Sequence, residues 1–154
     1  MGRQEIRLAT LEDAEAIHLL HTTSVRTLCR DTYAPEVIDG WLRNRSPGGY
    51  KGIEKDEMYV AERSGSVVGF SHVVPGEIVA IFVHPEHVRQ GIGSALVHHA
   101  IAMATTPGDG PIRIDSTLNA QPFYEVLGFT KTGERTVRRN DVEFPIVAME
   151  LNET

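Results

Sequence analysis

Between Glu77 and Ala104 the spacing of apolar and polar positions changes period, and the change predicts a strand, a turn and a helix. Ile78, Val79, Ala80, Ile81, Phe82 and Val83 form an unbroken apolar run. The run is too short for a globular helix and apolar on both faces, so it predicts a central strand buried on both sides, stopped by Pro85. Gly93, Leu96, Val97, Ala100, Ile101 and Ala104 then recur at i, i+3, i+4, i+7, i+8 and i+11. That is one apolar stripe of a helix, with His98 and His99 off the stripe.

The same reading extends along the chain. Ile6 and Leu8 predict a short first strand, and Thr10 as N-cap with Asp13 in the first turn opens a helix running to about Cys29. Pro35 starts a second short helix through Val37, Ile38, Trp41 and Leu42, ended by the turn-rich Ser46, Pro47, Gly48 and Gly49. Met58 to Ala61 and Val67 to Val74 are two strands joined by a hairpin at Ser64, Gly65 and Ser66. After the glycine-turn helix, Pro107 to Pro111 is a break, and Ile112, Ile114 and Ser116 alternate with Arg113, Asp115 and Thr117 on the next strand. A strand, helix, strand unit of this kind implies a parallel pair. Phe123, Val126 and Leu127 predict a short helix ended by Gly128, and Ile146 and Ala148, flanked by Phe144 and Met149, a final strand after the charged turn Arg138 to Asp141. The expected fold class is α/β (α+β): a mixed, mostly antiparallel sheet with helices on both faces.

Composition narrows the class. At 154 residues and 41% hydrophobic content, one domain over residues 1–154 is expected. No apolar run approaches the roughly 20 residues of a membrane span, and the first residues lack a signal-peptide core, so no membrane partner and a cytoplasmic location are expected. Cys29 is the only cysteine, which excludes an internal disulfide and a thiolate metal site. No metal is expected, since His18 and His21 have no companion ligands at metal spacing. The formal charge of −6 gives nucleic acid little to bind; an acidic surface suits a cationic amine but is common in proteins with no such partner.

Candidate chemistry lies in the joint, where Arg89, Gln90, Gly91, Ile92, Gly93 and Ser94 open the helix. Unpaired backbone N–H groups at a helix start, with the dipole behind them, attract phosphate. Gly91 and Gly93 let the backbone approach a pyrophosphate, and Arg89 adds a charge-assisted contact. Leu96 stands where a dinucleotide fingerprint needs Gly or Ala, and the Gly-Lys-Ser/Thr of a Walker loop is absent. An anionic cofactor is expected; the alternative is that these glycines only make a tight turn.

The order of elements, the H-P-x-x-V-R-Q-G-I-G-S-A-L turn from His84 and the N-A-x-P-F-Y-x-x-x-G-F segment from Asn119 together resemble the GNAT superfamily of acyl-CoA-dependent N-acetyltransferases, over essentially the whole chain. The resemblance implies acetyl-CoA as cosubstrate, coenzyme A as product, a small-molecule or peptide amine as acceptor, and a homodimer. It places the coenzyme A pyrophosphate at the glycine turn, the pantetheine and acetyl group along the backbone of Ile81, Phe82 and Val83, and Asn119 and Tyr124 at the thiol end. Val88 stands where the family pattern has Gln or Arg, which weakens the side-chain contribution to the cradle.

Acetyl transfer to an amine needs removal of a proton, since primary amines titrate near 10. Glu77 matches the position of the family's glutamate base; His72 and Asp115 are the alternatives. Tyr124 is the expected general acid for the departing thiolate, and a backbone N–H of the central strand the oxyanion donor. Direct attack in a ternary complex, with no acyl intermediate on Cys29, follows. Tyr33, Trp41 and His72 are candidates for the acceptor lining, although Trp41, at helical spacing from Ile38, also suits the core. The competing function is an acyl-CoA-binding regulatory module with little catalysis.

Overall fold

The computed structural model describes residues 4–106 and 110–152. Its elements are β1 (Gln4–Leu8), α1 (Ala14–Leu28), α2 (Pro35–Leu42), β2 (Met58–Arg63), β3 (Ser66–Val74), β4 (Glu77–Val83), α3 (Ile92–Ala104), β5 (Ile112–Ser116), α4 (Gln121–Val126), β6 (Thr130–Arg139) and β7 (Val142–Leu151). The strands form one seven-stranded sheet in the order β1-β2-β3-β4-β5-β7-β6. All neighbours are antiparallel except β4 and β5, the pair joined through α3. Residues 107–109 of the break before β5 lie outside the described residues.

Local chemistry accounts for most element ends. Asp13 Oδ2 accepts the Thr10 backbone N–H at 2.8 Å, and Arg7 donates to both Asp13 oxygens, closing the entry to α1. Pro35 occupies the first turn of α2, where its missing N–H costs nothing. Ser64 and Gly65, at φ 52° and 81°, supply the left-handed pair of a two-residue hairpin between β2 and β3.

The helices cover both faces. Leu96, Val97, Ala100 and Ala104 of α3 are fully buried; Val97, Ala100 and Ala104 pack on Ile78, Ile112, Ile114, Val147 and Met149. Each such Leu or Ile contributes about 1.5–3 kcal/mol by leaving water. On the opposite face Ile17 and Leu20 of α1 meet Met58, Val60 and Phe70, while Ile38, Trp41 and Leu42 of α2 meet Phe144 and Ile146. No described helix is long and apolar enough to cross a membrane.

Two expectations needed correction. The central strand is not buried on both faces: only Ile78 of β4 is buried, Val79 is 41% exposed, and Ala80 to Val83 are half-buried. Val79 to Phe82 line a cleft instead. Secondly, β6, which contacts β7 along its whole length, had no counterpart in the apolar pattern.

Candidate active site

The cleft arises where the parallel pairing stops. β4 and β5 match only at Glu77↔Arg113 and Ile78↔Ile114; beyond these the two strands diverge. From Ala80 onward β4 is paired with β3 but not with β5, so one backbone edge faces open space. Such an edge is a row of unpaired donors and acceptors suited to an extended ligand.

A bulge sets which side chains line it. His72 pairs with Ala80 and Val73 with Ile78, leaving Val79 as the extra residue. Strict alternation would put Ile78 and Phe82 on one face. The bulge sends them to opposite faces: Ile78 packs on Val97 and Ala100, Phe82 against Ile17 and Leu20.

A cavity of about 580 Å³ occupies the splay, and Glu77, Val79, Ala80, Ile81, Phe82, His72 and Tyr124 line it. Tyr124 projects from α4 between Phe123 and Phe129, with ring centroids 5.1 and 5.8 Å away, and is 5% exposed. Burial alone raises its phenol well above the ordinary 10, so the hydroxyl keeps its proton at neutral pH. His72 Nε2 lies 2.8 Å from Glu57 Oε1. The carboxylate fixes the ring proton on Nε2, leaving Nδ1 as the basic nitrogen. Gly52 is packed so closely on this imidazole that a Cβ there would come within 2.9 Å of it. Asp115 is held by Arg135 at 2.6 Å, whereas Glu77 has no ion-pair partner among the described residues.

At the far wall, His21 on α1 meets the Tyr50 hydroxyl at 3.0 Å and the Phe82 ring at 4.5 Å between centroids. Burial, then the charge of Arg45 and that of His18, pushes its imidazole down to about 3. It is a neutral, aromatic-packed wall residue. Cys29 is buried, and that burial pushes its thiol up to about 11, leaving almost no thiolate near neutrality.

The glycine turn lies beside the cavity without lining it. Arg89 and Gly91 both adopt positive φ, 63° and 82°. The N–H groups of Ile92, Gly93 and Ser94 precede the first bond within α3, which Ala95 donates to the Gly91 carbonyl at 3.0 Å. No acidic side chain occupies this first turn. A Cβ on Gly91 would meet nothing within 4 Å, but one on Gly93 would lie 3.2 Å from the Phe123 ring. Gly91 therefore provides the turn, and Gly93 lets α3 approach Phe123. Gln90 is tied to the Arg63 guanidinium, and Val88 is 36% exposed.

Other expected site residues lie elsewhere. Tyr33 is a core residue: its hydroxyl donates to the Pro145 carbonyl at 2.8 Å and accepts from the Leu118 N–H at 3.0 Å. Trp41 is also buried, stacked on Phe144 at 4.6 Å, with an edge reaching the cavity. Asn119 donates to the Leu28 carbonyl at 3.1 Å, bracing the end of α1 outside the cavity. Val83 packs towards Ile92 and Leu96, away from it. Missed altogether were Glu57, Arg45, Tyr50 and His21 as lining residues. The first three sit in or beside irregular chain, where no periodicity marks a face.

The family described as acetyltransferase (GNAT) domain matches residues 29–152. The chain belongs to this GNAT family. Among GNAT relatives, the uncharacterized N-acetyltransferase YafP of Escherichia coli (strain K12) is 26% identical over 143 residues, 93% of this chain and 89% of that protein. A GCN5-related N-acetyltransferase of Rhodopseudomonas palustris shares the fold with a TM-score of 0.85 at 22% identity, over 99% of this chain and 98% of the other. The PaiA N-acetyltransferase of Thermoplasma acidophilum, solved in complex with coenzyme A, has a TM-score of 0.78 at 20% identity, over 98% and 99% of the two chains.

Proposed function

We propose that this protein transfers an acetyl group from acetyl-CoA to a primary amine by direct attack in a ternary complex. The observation that carries the reading is the opening between β4 and β5, a free strand edge beside a helix start whose first N–H groups are unpartnered. The residues fit the cosubstrate: Ile92, Gly93 and Ser94 would donate backbone N–H groups to its pyrophosphate, Arg89 would add charge, and Ala80 to Phe82 would hold its pantetheine arm. Acetyl-CoA supplies the acetyl group as a thioester and leaves as coenzyme A.

Within this frame Glu77, a cavity-lining carboxylate with no ion-pair partner among the described residues, takes the amine proton through water. The freed amine forms the C–N bond as the C–S bond breaks, and a β4 backbone N–H bears the developing oxyanion charge. Tyr124 gives its proton to the departing thiolate. A second base deserves equal testing because of one observation: Glu57 holds His72 with Nδ1 basic, on the cleft-facing side of β3. The raised Cys29 thiol supports direct transfer over an acyl-cysteine route.

The test is thiol release from acetyl-CoA across a panel of amines, with acceptor-free hydrolysis subtracted. Release with one chemical class is expected. Binding of acetyl-CoA without release from any amine would favour the binding-module reading, to which exposed Val88 lends itself. Absence of thermal stabilisation by millimolar acetyl-CoA would overturn both.

A further inference from the structure

The cavity's charge does not follow that of the chain. The chain carries −6, yet Arg45, Lys51, Lys55 and Arg139 line the cavity and none of them has a carboxylate partner among the described residues. Neighbouring arginines do: Arg43 pairs with Asp141, Arg138 with Glu143 and Arg135 with Asp115. Acidic side chains are thus available on this rim but are bonded to other cations.

The turn between β6 and β7 brings the two unpaired arginines together. Asn140 Nδ2 donates to the Gly40 and Arg43 carbonyls, both at 2.7 Å, clamping the end of α2 to the β6–β7 hairpin. Arg45 follows the clamped segment, Arg139 precedes Asn140, and both line the same cavity. Arg139 donates only to the adjacent Arg138 carbonyl. Arg45, half-buried beside Tyr50, has its Nε buried with no acceptor at all. Burial, and the charge of Arg139 against the pull of the Tyr50 oxygen, lowers its basicity. Two cations held together with a desolvated, unpaired donor are an unfavourable arrangement until an anion joins them.

The opposite sign lies elsewhere in the cavity, at Glu77 and at the Glu57–His72 pair. We propose that the acceptor is a small zwitterionic amine, a free amino acid or close analogue, whose carboxylate is held by Arg45 and Arg139 while its amine meets the acidic end. The inference rests on the acetyltransferase reading for the fate of the amine, but not for the binding of the carboxylate. A cavity of about 580 Å³ is of a size for a molecule of this class beside the thioester arm.

The experiment compares amino acids with their carboxamides, which keep the shape and lose the charge. Thiol-release kcat/KM is normalised to the free-base concentration of each. The acids are expected to exceed the amides by about 10- to 100-fold, the range of a hydrogen bond to a charged group. Arg45→Gln and Arg139→Gln should bring that ratio towards one, whereas Arg138→Gln, on a cation already paired outside the cavity, should not move it. A wild-type ratio near one, or a ratio unmoved in both variants, overturns the inference while leaving acetyl transfer intact. In parallel, calorimetry measures amino-acid binding to the coenzyme A complex of wild type and Arg45→Gln. Binding that depends on Arg45 without any turnover would sustain the carboxylate site and sink the acetyltransferase reading. Neither binding nor turnover would sink both.

Discussion

His21 allows a test that needs no substrate. It is 6% exposed, enclosed by Tyr50, Phe70 and Phe82, and its folded value lies near 3 against an ordinary 6.5. Below pH 6.5 the unfolded chain takes up a proton at this imidazole and the folded chain does not. Stability therefore falls as pH drops, from about 6.5 down to about 3, by about 1.4 kcal/mol per unit for this one group. Two units below the unfolded value, near pH 4.5, the loss is about 2.7 kcal/mol. The variant His21→Phe has no such proton to gain. It gives up the Tyr50 hydrogen bond, about 1 kcal/mol, but at both pH values alike. Urea unfolding of wild type and variant near pH 7 and pH 4.5 isolates the effect, because the remaining carboxylates and histidines titrate in both proteins. The variant should lose about 2–3 kcal/mol less than wild type on acidification. Equal losses would mean that His21 is not held neutral, and would refute the buried aromatic wall assigned to it.

Two further outcomes follow from the cleft. Tyr124→Phe should lower kcat by about 10²- to 10⁴-fold, the range of general acid–base assistance, while calorimetry shows acetyl-CoA affinity retained. Gly91→Ala, at φ 82°, should cost about 1–2 kcal/mol in urea unfolding and weaken acetyl-CoA binding measured by thermal shift, since open space around that Cα removes any steric cause.

The elements that the sequence announced are those with one dry face. The α3 stripe and the alternating Ile112, Ile114 and Ser116 each reappear because burial on one side imposes a period, and the Ser64-Gly65 hairpin because its glycine suits a left-handed turn. β6 escaped because its residues are mostly exposed on both faces and Val137 is its only strongly apolar side chain. The run Ile78 to Val83 suggested a fully buried strand because apolar residues lining a ligand cleft have the same composition as those lining a core. Tyr33 and Trp41 show the converse: both aromatics are engaged in packing, and contacts distant in the chain, such as Tyr33 with Pro145, reveal it. The Glu57–His72 pair joins a loop to a strand, and the Arg45–Arg139 rim depends on the reach of Asn140. No local spacing encodes either.

The extra residue at Val79 sets which layer each later side chain of the central strand meets. Ile78, Ile81 and Val83 face the helix packed behind the sheet and Phe82 the opposite layer, and the bulge falls where the parallel partner departs. Substitutions around Ala80 and Phe82 can therefore reshape what the pocket admits without repacking Ile78 against Val97 and Ala100. Ironing out the bulge with every residue retained would do the reverse, turning the whole distal half over and presenting the wrong side chains to both layers. The bulge thus fixes at one position both what lines the pocket and what packs on α3 beyond it.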